Sequence, residues 1–166
     1  LAEAWERLGE RTGVDVDLPV GTHRLHAGEP SAAVIPLLRA ARRTHEEGRF
    51  SLSMSAAELG KDAADQSGGA SAKAEARIRM ADTLLAQGRT EEAIEVIHEA
   101  QDVGHLDRRT QARLWVRLGE AECLRGNLEA AQQYLQSAEV AFEATRDREG
   151  LMETAAAMAR LKKLEG

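Results

Sequence analysis

The feature that most constrains this chain is a recurrence of glycines, each closing a stretch of helical periodicity. Gly48, Gly88, Gly126 and Gly166 end the segments His45-Glu46-Glu47-Gly48, Leu85-Ala86-Gln87-Gly88, Leu124-Arg125-Gly126 and Leu164-Glu165-Gly166, at spacings of 40, 38 and 40 residues. Glycine stops a helix readily because it takes the left-handed conformation without a Cβ clash. Three of these glycines are followed at once by a new amphipathic segment, opened by Arg49-Phe50, Arg89-Thr90-Glu91-Glu92-Ala93 and Asn127-Leu128-Glu129-Ala130-Ala131. Thr90 and Asn127 are expected to cap these helices, with acidic residues in the first turn, where the helix dipole favours negative charge. Each glycine therefore joins two helices, and the period predicts an all-α array of about eight or nine antiparallel helices.

Composition agrees. There are 30 alanines, three prolines and only five aromatic residues (Trp5, Phe50, Trp115, Tyr134 and Phe142), so the interior is built from small and aliphatic side chains. Strong helix formers dominate and β-branched residues are sparse, which excludes a sheet protein. With 22 basic against 28 acidic side chains the net charge is −6. That disfavours a general binder of nucleic acid or anionic membrane, since both need a cationic face. No apolar run reaches the roughly 20 residues of a membrane span, and no leader-like start is visible. The single Cys123 excludes an internal disulfide and suits a reducing, cytoplasmic setting.

Around Gly126, large and small residues alternate at helical spacing: Trp115, Leu118 and Gly119 on one side, Ala131, Leu135 and Ala138 on the other. Two helices approach closely only where Gly or Ala on one faces a bulkier residue on its partner. This pattern resembles the tetratricopeptide repeat, whose first helix carries Trp, Leu and Gly and whose second carries Ala, a large apolar residue and Ala. The unit around Gly88 fits with Met80, Ala81, Ala93, Ile97 and Ala100, but has Arg77 where Trp belongs. The unit around Gly48 keeps Leu37, Ala40 and Ala41, then a thin second helix with Ser53, Ala57 and Gly60. The family's proline near the repeat end is absent and the period exceeds the usual 34, so these are variant repeats. The resemblance covers residues 30–166 and implies a right-handed superhelical solenoid of helix hairpins.

Upstream, His23-Arg24-Leu25-His26-Ala27-Gly28-Glu29-Pro30 followed by Ala33, Leu37, Leu38, Ala40 and Ala41 reads as a further helix, turn and helix. Pro30 suits a first helical position and Pro36 is expected to kink the helix that follows. This stretch resembles the start of the helical arm that follows the ATPase module in bacterial signalling ATPases, including those fused to regulators or Ser/Thr kinases. Residues 1–29 are accordingly set apart as N-terminal helices and a loop, Val14 to Val20, from the repeat domain at 30–166. Residues 1–12 are read as a lone helix or the end of a preceding module. Gln66 to Ser71 and Gly104 to Asp107 read as linkers. Asp147 to Glu165 predicts a last helix with Leu151, Ala155, Met158, Leu161 and Leu164 on one stripe, the first helix of an unfinished unit.

Chemistry is hard to find. Gly68-Gly69 with Lys73 lacks the spacing of a phosphate loop, no serine has a Gly-x-Ser-x-Gly setting, and Cys123 sits beside Glu120 and Glu122, which disfavour a thiolate. His23 and His26 share a helical face and could hold a metal only with a third ligand from elsewhere. His98 and His105 read as a helix-surface and a loop residue. No catalytic residue, metal or cofactor is expected, and the chain is not expected to be an enzyme.

Aligning the units on their glycines gives one more pattern. Arg39, Arg79 and Arg117 stand nine residues before the glycines, Arg42, Asp82 and Glu120 three residues later, and Ile35, Glu75 and Arg113 four residues earlier. By resemblance the first helices line the concave face, so Arg39, Arg42, Arg79, Asp82, Arg113, Arg117 and Glu120 are the candidate partner-binding residues. Three arginines at one repeat position would form a basic ladder suited to carboxylate or phosphate; paired with neighbouring acids they would be a solvated face instead. On the ladder reading, charge reversal at Arg79 and Arg117 weakens a partner with little effect on melting. Family members that clamp C-terminal carboxylates use Asn where Arg42, Asp82 and Glu120 stand, which argues against that activity. The expected function is a protein–protein interaction scaffold, the regulatory or sensor arm of a larger bacterial signalling protein. A peptide or small-ligand sensor and a module that self-associates through its open C-terminal end are the alternatives.

Overall fold

The computed structural model describes residues 1–12, 15–67 and 69–165. Among the described residues there are nine α-helices and no strand: α1 (Ala2–Thr12), α2 (Asp17–His26), α3 (Pro30–Glu46), α4 (Phe50–Ser67), α5 (Ala70–Ala86), α6 (Thr90–Gln101), α7 (Arg108–Arg125), α8 (Leu128–Thr145) and α9 (Arg148–Glu165). None of them is long and apolar enough to cross a membrane.

The glycine turns work as their positions require. Gly48, Gly88 and Gly126 have φ of +73°, +73° and +80°. The amide after each glycine donates to a carbonyl five residues back: Arg49 to Thr44 at 2.8 Å, Arg89 to Leu84 at 2.9 Å and Asn127 to Glu122 at 2.9 Å. These bonds satisfy carbonyls that the helix end would otherwise leave open. The fourth glycine of the series, Gly166, lies outside the described residues. An equivalent turn that the glycine pattern does not reveal joins α8 to α9, where Arg146 takes φ +54° and Asp147 donates to the Phe142 carbonyl at 3.0 Å.

Several local expectations are corrected. Thr90 is the first helical residue of α6 rather than its cap, and Asn127 occupies the cap position of α8 without a side-chain hydrogen bond. The side chains that cap are Asp107 on α7, accepting from the Thr110 amide at 2.9 Å, and Asp147 on α9, accepting from the Gly150 amide at 3.2 Å. Of the linker Gln66 to Ser71, Gln66 and Ser67 belong to α4 and Ala70 and Ser71 to α5; Gly68 lies outside the described residues. The loop read at Val14 to Val20 is helical from Asp17, because Leu18 packs against α3 and the apolar contact outweighs the weak local propensity; Val14 is outside the described residues. On α9 the buried stripe is Thr154, Ala157 and Leu161 with Leu151 and Met158 beside it, while Ala155 and Leu164 are exposed.

Each helix packs on the next in sequence, and alternate helices also touch, α3 with α5, α5 with α7 and α7 with α9. The crossings are close where small residues fall. A Cβ on Gly119 of α7 would stand 2.7 Å from Leu135 Cγ on α8, and one on Gly60 of α4 would stand 2.9 Å from Leu38 Cδ2 on α3. Ala131, Ala138, Ala93, Ala100, Ala40 and Ala57 are fully buried at equivalent contacts. Leu37, Ile97, Leu135 and Phe142 fill the remaining space; each such burial contributes about 1.5–3 kcal/mol. Between α4 and α5 the Ser53 and Thr83 hydroxyls hydrogen-bond at 2.8 Å, both buried.

Charge is sorted by helix. Counting side chains, α3, α5, α7 and α9 carry +2, +1, +3 and +1, whereas α4, α6 and α8 carry −2, −4 and −3. Cations of the first set tie the two sets together: Arg77 of α5 reaches Asp65 on α4 at 3.2 Å and Glu99 on α6 at 3.5 Å, and Arg125 of α7 reaches Glu91 on α6 at 3.2 Å. Arg77 is buried on α5 and anchors its guanidinium on two neighbouring helices.

Candidate functional site

Helices α3, α5, α7 and α9 line one groove of about 1420 Å³. Their periodicity explains it. Glu75, Arg79 and Asp82 recur at i, i+4 and i+7 on α5, and Arg113, Arg117 and Glu120 do the same on α7, so each trio shares one helical face. Because α5 packs on α7 and α7 on α9, these faces adjoin, and Glu153 and Arg160 of α9 complete the floor.

Six of the seven sequence-predicted site residues line the groove: Arg42, Arg79, Asp82, Arg113, Arg117 and Glu120. Arg39 is exposed on α3 and is not among the lining residues. The arginines of the floor do not form a ladder of free cations. Arg79 is held by Glu75 at 2.6 Å and Asp82 at 3.1 Å. Arg113 pairs with Glu75 on α5, and Arg117 pairs with Asp82 on α5, with Glu120 at 3.4 Å and with Glu153 on α9 at 2.5 Å. Arg160 of α9 closes the chain on Glu120. Four guanidinium groups are thereby matched by four carboxylates running across three helices.

Burial sets the strength of this network. The side chains of Arg117, Asp82 and Arg79 are only 7%, 9% and 14% exposed. Burial opposes ionisation of Glu75 and Asp82, yet the arginines around them outweigh it, Arg79 and Arg113 for Glu75, Arg117 and Arg79 for Asp82. Both carboxyls are held below the usual carboxylate range. Burial likewise works against the Arg117 charge, and Asp82, Glu120 and Glu153 overcome it, raising its pKa. Glu120 goes the other way. Burial together with the charges of Asp82 and Glu153 exceeds the pull of Arg117 and Arg160, so its pKa is raised. Charge reversal at Arg79 and Arg117 therefore cannot be silent for folding, contrary to the expectation for surface arginines: it would bury acids against acids.

Around this balanced floor the groove has apolar and charged edges. Ile35, Leu124 and Leu164 line it at 59%, 60% and 58% exposure. Half-buried Leu38, Leu85 and Cys123 also line it. Arg42, Arg109 and Glu149 stand at the mouth. His45 also lines the groove, its ring tilted against Phe50 at a centroid distance of 5.6 Å.

Glu149, Glu153, Arg160 and Leu164 on α9 were missed by sequence reasoning, although a signal existed. Counting back from Gly166 by the offsets used for the other units lands on Glu153 and Arg160. His23 and His26 both lie on α2, away from the lining residues, and among the described residues no three His, Cys, Asp or Glu side chains converge as metal ligands would. The arrangement is one for holding a surface in shape. The floor carboxylates and guanidinium groups are engaged with each other, while the exposed lining is partly apolar, at Ile35, Leu124 and Leu164, and partly charged, at Arg42, Arg109 and Glu149. Compared with known proteins, the chain matches no family model and no curated sequence.

Proposed function

We propose that the chain is a tetratricopeptide-like solenoid, a right-handed stack of helix hairpins, whose concave groove binds a segment of another protein. On this reading it serves as the regulatory or sensor arm of a larger bacterial signalling protein. The observation that carries the proposal is the groove itself: four alternate helices share one continuous concavity whose ionic floor is internally balanced and whose exposed lining includes Ile35, Leu124 and Leu164. A volume of about 1420 Å³ exceeds the 300–1,000 Å³ of ordinary small-molecule sites, which favours a peptide segment over a small ligand. Because the floor arginines already have acidic partners, apolar anchors of the segment supply the affinity and the mouth charges orient it.

The test is a displayed library of random peptides selected on the immobilised protein. Selected peptides are expected to be rich in large apolar residues and to lose at least tenfold in affinity to Ile35→Asp and Leu124→Asp variants of unchanged helicity. Peptides that ignore both substitutions, or a library that yields no binder, would overturn the reading.

A further inference from the structure

Helices α3 and α9 do not pack on each other; they are connected through α5 and α7. Yet Arg42 Nη2 of α3 lies 3.8 Å from Glu149 Oε1 of α9, more than a hundred residues away in sequence. Both side chains stand at the mouth of the groove. We infer that the Arg42–Glu149 pair is an electrostatic clasp, which draws the two outermost lining helices together and sets how far the groove is open.

Three features fit a clasp rather than a fixed brace. First, both partners are well exposed, at 56% and 74%, so water and salt screen the attraction and the pair opens readily. Second, each partner has somewhere to go. Arg42 is hydrogen-bonded to Glu46 of its own helix at 2.8 Å, and Glu149 lies 4.0 Å from Arg109, which is itself paired with Asp147. Opening therefore leaves no buried charge unmatched. Third, the pair acts on the softest coordinate available. In helices chained one onto the next, each contact constrains only its neighbours, so small rotations at α3/α5, α5/α7 and α7/α9 add up at the ends. A weak attraction between those ends then has long leverage, whereas the buried Arg117–Asp82 pair acts within a single interface.

The clasp regulates the groove that the proposed function assigns to a partner segment. It rests on that reading only for its biological use, because it is measured with no partner present. Spin labels at Arg39→Cys and Met152→Cys, both exposed positions, in a Cys123→Ala background report the α3–α9 separation by double electron–electron resonance. At low salt a shorter, narrower distance distribution is expected. Half-molar sodium chloride, or Glu149→Arg at low salt, is expected to shift it by several ångströms and broaden it, with helical circular dichroism unchanged. Glu143→Arg on α8, an exposed site outside the groove lining with the same charge change, is expected to leave it alone. A distribution insensitive to both salt and Glu149→Arg overturns the clasp, as does equal widening by Glu143→Arg. Failure of the peptide selection leaves this result standing, and failure here leaves the peptide selection standing.

Discussion

The Arg117 guanidinium on α7 and the Asp82 carboxylate on α5 form an ion pair in the floor of the groove, with their side chains 7% and 9% exposed. Removing one member of a buried pair leaves the other charge without compensation, which costs about 3–5 kcal/mol. Arg117→Met should lower the unfolding free energy by that order, since Glu153 also loses its partner and Glu120 keeps only Arg160. Asp82→Asn added to Arg117→Met should restore part of it, giving a coupling of about 0.5–3 kcal/mol in a denaturant double-mutant cycle. Strict additivity would show that the two residues do not share a network.

Stability should depend on pH through opposing carboxyls. Glu75 and Asp82 are held below their ordinary values, so their contribution is complete above about pH 4 and is lost as pH falls through their lower folded values. Glu120, raised by its surroundings, contributes fully below its ordinary value and loses that contribution as pH rises through the raised one. Urea titrations over a pH series should therefore show a shallower acid-side decline for Asp82→Asn than for the native chain. For Glu120→Gln, the loss above about pH 4 should be relieved. Parallel pH curves for all three proteins would contradict the assignment.

The crossing of α7 and α8 tolerates no added bulk. A methyl at Gly119 meets Leu135 Cγ at 2.7 Å and the Ala131 carbonyl at 3.3 Å. Gly119→Ala gains about 1 kcal/mol of helix propensity but forces the helices apart, for a net loss of roughly 1–2 kcal/mol. Ala131→Leu, at a fully buried position, should cost about 1–3 kcal/mol. Thermal melts report both, and unchanged midpoints would count against the close-contact alignment of these repeats.

Arg146 holds a left-handed backbone conformation at the α8–α9 turn, φ +54°, which costs a residue bearing a Cβ about 1–2 kcal/mol. Glycine removes that strain while adding freedom to the unfolded chain, so Arg146→Gly should raise stability by about 0.5–1 kcal/mol. Gly126→Ala should do the reverse by about 1 kcal/mol through the backbone alone, since nothing stands within 4 Å of the added Cβ. A melting temperature that falls for Arg146→Gly would refute the strain argument.

Helix turns at Gly48, Gly88 and Gly126, and the small residues at Ala93, Gly119 and Ala131, are legible in the amino-acid order because they depend on near neighbours. A left-handed glycine and an apolar stripe each declare themselves within a few residues. The break before α9 is legible, but the left-handed residue that makes it is not, because Arg146 adopts the glycine conformation without being glycine. The α2 start escaped because its helix is secured by packing of Leu18 and Leu25 onto α3 rather than by its own propensity.

The sequence by itself determined that the chain is all-helical with turns at Gly48, Gly88 and Gly126, which residues let its helices approach, and which faces of α5 and α7 carry Arg79, Asp82, Arg113, Arg117 and Glu120. Tertiary structure alone decided that Arg113 and Arg117 are matched by acids from neighbouring helices, that Arg39 stays outside the groove, and that Arg42 meets Glu149 across its mouth. The reason is Coulombic. A charge's state depends on what lies within a few ångströms of it, and for Arg113, Arg117 and Arg42 the partners on other helices sit 35 to 107 positions away, brought near only by the packing of the helices.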